Sequence, residues 1–469
     1  MGRTATIEGT PGDDQLAGTP NDDVIAGAGG DDVISGSDGN DLICGGAGTD
    51  AVFGEAGRDA VAGDAGRDQV SGGLGDDELN GGKGLDFANY YVSLTPVQVD
   101  LSNGTATGEG NDTLGGIENI FGSLFDDDLT GDSRFNAISA LDGDDHVDAG
   151  GGIDLIYDGV APGSQGTDGD DQIDGGPGLD GVLYTQSSGP VDADLAAGSA
   201  TGNGTDVIGG IEGVFGSPFD DVLEGDSQKN LFLGMGGDDT IDGREGGDAV
   251  AYWLATGPVT ADLAAHQGSG PGEGTDDFTN VEGLLGSVRF GDDLRGDENN
   301  NLLDGDGGND DLSGLEGNDW LVGGTGNDTI DGGDGTYDLA DFSNTAFLEV
   351  IAAVEVDLSA GTARGQGNDT LADVEAAKGS SLNDELRGNG GVNLLFGERG
   401  DDDLRGSGGN DFIDGGPGPD RANGQAGSDN CVNATERKSC EREGRAEEHP
   451  VLDEASEIEG WRRNFRRNF

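Results

Sequence analysis

Aspartate returns every ninth residue from Asp14 through Asp23, Asp32, Asp41, Asp50, Asp59, Asp68 and Asp77 to Asp86. Each stands at the sixth place of a nine-residue block that opens on Gly, from Gly9 to Gly81. Carboxylates at a fixed spacing are acceptors for a hard cation, and Gly-rich turns add backbone carbonyl oxygens to the same donor set. Calcium fits such donors better than magnesium, which demands a small octahedron and keeps its water. No His or Cys holds a regular place, so zinc and copper are poorly served. Further along, the same place is filled by Asp127, Asp145, Asp171, Asp180, Asp221, Asp239, Asp248, Asp310, Asp319, Asp328, Asp384, Asp402, Asp411 and Asp420. Asn136, Asn230, Asn301 and Asn393 replace it in the block entering each later array. An amide offers an oxygen without charge, so these joints are weaker candidate sites.

The rest of each block states how those carboxylates are held. Gly at the first and fourth places permits positive φ and close backbone contact. The eighth place is apolar, as in Leu16, Ile25, Ile34, Ile43, Val52, Val61, Val70, Leu79 and Ala88. A six-residue turn is therefore followed by a three-residue strand whose middle side chain points inward and whose flanking side chains point outward. Two turns and two strands make a coil of 18 residues. Parallel stacking at about 4.8 Å sets Asp14 beside Asp32 and Asp23 beside Asp41. Bare carboxylates about 5 Å apart repel by roughly 3 kcal/mol at an effective dielectric near 20. One small apolar side chain per block does not offset both this and the entropy of ordering nine backbones. The array predicts its own need for a cation.

Blocks such as GGLGDDELN (72–80) and GAGGDDVIS (27–35) resemble the GGxGxDxUx nonapeptide of the haemolysin-type calcium-binding, or RTX, family. The resemblance spans roughly residues 9–430. It implies an all-β, right-handed parallel β-roll, an RTX solenoid in several stacked arrays with four inserted β-modules. It also implies multiple Ca²⁺ ions held by sixth-place Asp and backbone carbonyls. One ion for each block and the next but one gives room for up to seven in the first array. Thr10, Thr19, Glu55 and Asp64 replace the second Gly, so not every site need be full.

The period places arrays at 9–90, 122–182, 216–251, 286–340 and 379–432, and a tail at 433–469. Between the arrays lie inserts at 91–121, 183–215, 252–285 and 341–378. Each insert carries an alternating strand, such as VQVDL (97–101), then a Gly-rich acidic turn, such as GEGNDTL (108–114). Next come a hydrophobic-Glu pair, such as Ile117-Glu118, and a closing Gly-Ser, such as Gly122-Ser123. The simplest expectation is that the inserts continue the parallel sheet with longer outer loops. Ligand binding by Glu118 and its counterparts is the alternative.

The chain has 469 residues, 95 of them Gly, and a formal net charge of −72. Phosphates and anionic membranes are repelled, which excludes nucleic acid as a partner. No apolar run is long enough for a transmembrane segment, and the start MGRTATIEG lacks the apolar core of a signal peptide. The export route is not visible. The tail EREGRAEEHPVLDEASEIEGWRRNFRRNF (441–469) is either an uncleaved secretion signal or an exposed tail touching the acidic roll. Cys431 and Cys440 either form a disulfide closing the end of the roll or stay free, and Cys44 reads as an outward surface residue.

No HExxH, GxSxG or GxxxxGK[ST] occurs, and His146, His266 and His449 are far apart. Trp320 is read as an outward aromatic able to stack on a sugar, or as a bland surface residue. The sequence reads as a calcium-binding, extracellular repeat protein, secreted or on the cell surface, with no enzyme site. Two alternatives remain: the calcium-dependent part of a larger exported enzyme or toxin, and an adhesive surface protein whose loops meet a glycan or another cell-surface partner.

Overall fold

The three-residue strands form where the eighth-place residue can be buried. Ile25, Ile43 and Val61 lie in register on parallel strands Val24–Gly29, Leu42–Ala47 and Ala60–Ala65. Leu16, Ile34, Val52 and Val70 do the same on the intervening strands. Successive strands thus alternate between two parallel sheets, with the eighth-place side chains packed between them and Ile25, Ile34, Ile43 and Val52 wholly buried. This computed structural model describes residues 4–159, 169–202, 204–343 and 352–440. It falls into two compact units, Met1–Pro218 and Phe219–Phe469, each built on this plan. No helix among the described residues is long and apolar enough to cross a membrane. The tail beyond Cys440 lies outside the described residues.

The inserts depart from the parallel expectation. Asn111–Gly115 stacks parallel on Glu78–Lys83, but Thr105–Thr107 and Gln98–Asp100 then follow as an antiparallel meander. Gln98–Asp100 in turn carries Asp128–Thr130 in parallel. In the other sheet Phe87–Asn89, Asn119–Phe121 and Ala137–Ser139 pair directly, with nothing between them. Each insert therefore adds two strands to one sheet alone. Ser102 and Asn103 close the hairpin on Asp100, a turn geometry that short polar side chains supply. The same meander recurs around Ser199–Thr201 in the first unit and around Gln267–Gly270 and Thr362–Arg364 in the second.

The two sheets differ on their outer faces. In one, outward residues are polar and exposed, as His146 and Asp148 are on either side of buried Val147. In the other, both faces are largely buried in the later arrays, as in Leu231–Leu233 and Leu394–Phe396, whereas in the first array Val33 is exposed. Trp320 belongs to this second sheet and corrects the outward expectation. It is 6% exposed and clusters with Leu339, Leu394, Phe396 and Phe412. Cys431, wholly buried at its inward place, is bonded to Cys440. Cys44 is half-buried and reduced, and burial pushes its thiol up to about 12.

Candidate metal centre

From Asp32 onward in the first array, each sixth-place carboxylate turns one oxygen to the backbone of the coil before it. Asp41 Oδ1 accepts the Asp23 N–H at 2.8 Å, Asp59 that of Asp41 at 2.7 Å, and Asp77 that of Asp59 at 2.8 Å. A second file runs from Asp14 through Asp32, Asp50 and Asp68 to Asp86. The fifth place stitches the opposite way, with Asp13 accepting from Asp31, Asp31 from Thr49 and Asn40 from Arg58. Each adjacent acid pair therefore binds one coil on either side. This explains the Asp-Asp and Asn-Asp doublets, which the sixth-place column alone does not.

The other oxygen has no such use. Oδ2 of Asp32, Asp41, Asp50, Asp59, Asp68, Asp77 and Asp86 is buried without a hydrogen-bond partner. A Cβ added to first-place Gly27 would overlap both Asp32 Oδ2 and the Gly45 carbonyl oxygen of the next coil. The oxygen thus sits at a backbone cradle only Gly can form. Burying an ionised carboxylate oxygen unpaired is expensive. Burial, and then the neighbouring carboxylates, push Asp59, Asp68 and Asp77 up to about 6. Orphaned hard oxygens beside carbonyls fit calcium.

In the later arrays the same orphaned Oδ2 occurs at Asp180, Asp239, Asp248, Asp310, Asp319, Asp402, Asp411 and Asp420. Asp127 accepts from Val97, Asp145 from Asp127 and Asp171 from Asp145. Asp221 and Asp328 donate their N–H groups to Asp239 and Asp369. Four predicted ligands are different. Asp14, Asp23, Asp127 and Asp384 spend Oδ2 on the N–H of Thr10, Thr19, Ser123 and Ser380. The Thr19 N–H and hydroxyl hold Asp23 below its usual value.

Several members of the ladder were not predicted. Asp112, Asp206, Asp276 and Asp369, in the acidic turns of the inserts, accept from Asp77, Asp171, Asp239 and Asp328. Glu118, Glu212, Glu282 and Glu375 close the second file by accepting from Asp86, Asp180, Asp248 and Asp338. Asp154, Asp292 and Asp338 sit at sixth places hidden by a missing opening Gly or a one-residue insertion. Asp158 has carboxylate oxygens within 4.8 Å of those of Asp171 and Asp206, all three buried. It stands where the blocks of Asp86 and Asp248 have Tyr90 and Tyr252.

Stacked turns leave no room at the fourth place. A Cβ on Gly66, where φ is +150°, would land on the Gly48 carbonyl, whereas one on Gly115 meets nothing within 4 Å. Gly66→Ala is expected to destabilise the calcium-loaded protein by on the order of 3 kcal/mol and Gly115→Ala by less than about 1, read from melting temperatures.

A family model of the RTX calcium-binding nonapeptide repeat (4 copies) matches residues 5–32, 17–52, 27–61, 53–88, 121–156, 215–250, 289–321, 313–336, 378–413 and 405–432. Together these matches cover more than half of the chain. They coincide with the arrays and skip most of each insert. A search of curated proteins finds no match.

Proposed function

Because this chain belongs to the RTX calcium-binding nonapeptide repeat family, we propose that it is a secreted or cell-surface protein whose β-roll folds as calcium fills its turns, with no catalytic centre of its own. The observation that carries this reading is the file of buried, unbonded Oδ2 atoms from Asp32 to Asp86. Bound calcium supplies the positive charge that lets stacked carboxylates stay ionised. The chain's own part is to orient them: Oδ1 is fixed by a backbone N–H, Oδ2 is held against glycine, and carbonyls are gathered around it. Extracellular sites of this class work at millimolar calcium, which supports folding outside the cell.

Seven such oxygens in the first array support seven ions there. Asp41→Ala is expected to lower the number of ions bound, by mass spectrometry under native conditions, by at least one. Asp38→Ala, at a third place, is expected to leave the number unchanged. Equal counts for the two variants would refute the assignment.

An adhesive role is favoured by one feature of the second unit. A cavity of about 430 Å³ is lined by Trp320, Leu302, Gln228, Asn300 and Asn318, among others. Amides beside the charged Lys229, Asp248 and Glu282 suit a hydroxyl-rich ligand such as a sugar of one or two rings. A glycan array probed in calcium and in chelator tests this; no binding in either condition removes the reading.

A further inference from the structure

The turns of the arrays adopt two conformations, and the second place of the block distinguishes them. Where Oδ2 of the sixth-place Asp is orphaned, the second-place residue is left-handed. Ala28, Ser37, Glu55 and Asp64 have φ of 81°, 75°, 78° and 76°, in the blocks of Asp32, Asp41, Asp59 and Asp68. Even Leu315, in the block of Asp319, holds φ at 80°. A residue with a Cβ enters this region at a cost, so the turn itself demands it.

Where an array opens, the second-place residue is not left-handed. None of Thr10, Thr19, Ser123, Ser287 and Ser380 has positive φ. Each instead closes on its own sixth-place carboxylate. Ser380 gives its N–H to Asp384 Oδ2 at 2.7 Å and its hydroxyl to Oδ1 at 2.9 Å, while Val354 gives a further N–H to Oδ1 at 2.7 Å. Ser287 treats Asp292 alike, with Val259 as the further donor. Charge-assisted bonds of this number satisfy a carboxylate without a cation.

In the later arrays the second file opens on Asn and is closed as well. Asn136 Oδ1 accepts the Asp132 N–H at 2.7 Å, and its Nδ2 donates to the Glu118 carbonyl at 2.6 Å. Asn393 repeats this with Asn389 and Glu375. Ser37 shows that conformation decides, not residue type. Left-handed, it turns its hydroxyl toward the Gly18 carbonyl, and Asp41 Oδ2 stays orphaned.

We propose that each array opens on turns that take no calcium, closed by a Thr or Ser hydroxyl or by an Asn amide, and that these turns stay ordered when calcium is removed. The proposal rests on the calcium reading of the open turns. The Ser-closed turns are also where the inserts attach, since Val97, Val259 and Val354 immediately precede the meander strands and bond to the closed Asp127, Asp292 and Asp384. Calcium would then act in separate blocks, each ordering outward from a seam that needs none.

The test uses the full chain. At saturating calcium, native mass spectrometry is expected to show at least one ion fewer for Asp59→Asn and no change for Asp127→Asn; loss of an ion from Asp127→Asn overturns the proposal. On the unaltered chain in excess chelator, amide hydrogen exchange is expected to be about tenfold slower in peptides 122–131 and 379–388 than in 45–62. Equal exchange in the two sets overturns it without any substitution. A chain that binds no calcium at all sinks the underlying reading of the open turns instead.

Discussion

Excess chelator at pH 7.5 is expected to abolish most of the strand signal in circular dichroism, and millimolar calcium to restore it. The orphaned Oδ2 atoms of Asp32 to Asp86 leave seven buried carboxylates in one array with half their hydrogen-bonding capacity unused. Each ion held only by the folded state contributes about 2.7 kcal/mol when its concentration is a hundredfold above the dissociation constant. Several such contributions exceed the whole stability of an ordinary domain, about 5–15 kcal/mol. Removing them together is therefore expected to unfold the arrays rather than soften them. A strand spectrum identical in chelator and in calcium would contradict this account.

Acid is expected to do part of calcium's work. Burial raises the folded-state values of Asp59, Asp68 and Asp77 to about 6, of Asp154 and Asp319 to about 7, and of Asp180 and Asp239 to about 8. In the unfolded chain such groups titrate near 4. A raised folded-state value means that the folded form holds its protons more tightly. The stability this lends is complete below about pH 4 and is lost as pH rises through about 6 to 8. In chelator, lowering the pH from 7.5 to 5 should recover about half or more of the calcium-loaded strand signal. In calcium the same change works in reverse, since protons compete for the ligand oxygens and weaken binding. Circular dichroism at the two pH values, with and without chelator, reads both signs. No recovery in acid would mean that the stacked carboxylates are not what holds the metal-free chain open.

The array was legible because three columns carry residue types that chemistry restricts: Gly for space, Asp for charge, Ile or Val for burial. The block of Asp59 could be placed from sequence because GEAGRDAVA keeps every column. Asp338 could not, since one added residue in its block moves it to 19 residues after Asp319 while the hydrogen bond survives. Asp112 and Glu118 escaped because the insert restores the ladder through space, 35 and 32 residues after their partners. The seam at Ser123 was visible as Gly-Ser but not readable, because its meaning lies in a backbone angle. Trp320 was misplaced because all blocks were treated as equivalent. Outer-face polarity actually alternates with every second block, WLV and LLF falling in one sheet and DLS and DLR in the other.

That alternation makes changes of length quantised. Deleting residues 397–414 removes one whole 18-residue coil, and each remaining donor of the ladder meets an equivalent acceptor. Deleting 397–405 instead shifts Phe412–Asp414 onto the sheet whose outer surface is wet, stranding Phe412 in water. Duplicating or deleting two blocks therefore preserves both the ladder and the two outer faces, while a change of one block exchanges the faces of every strand beyond it.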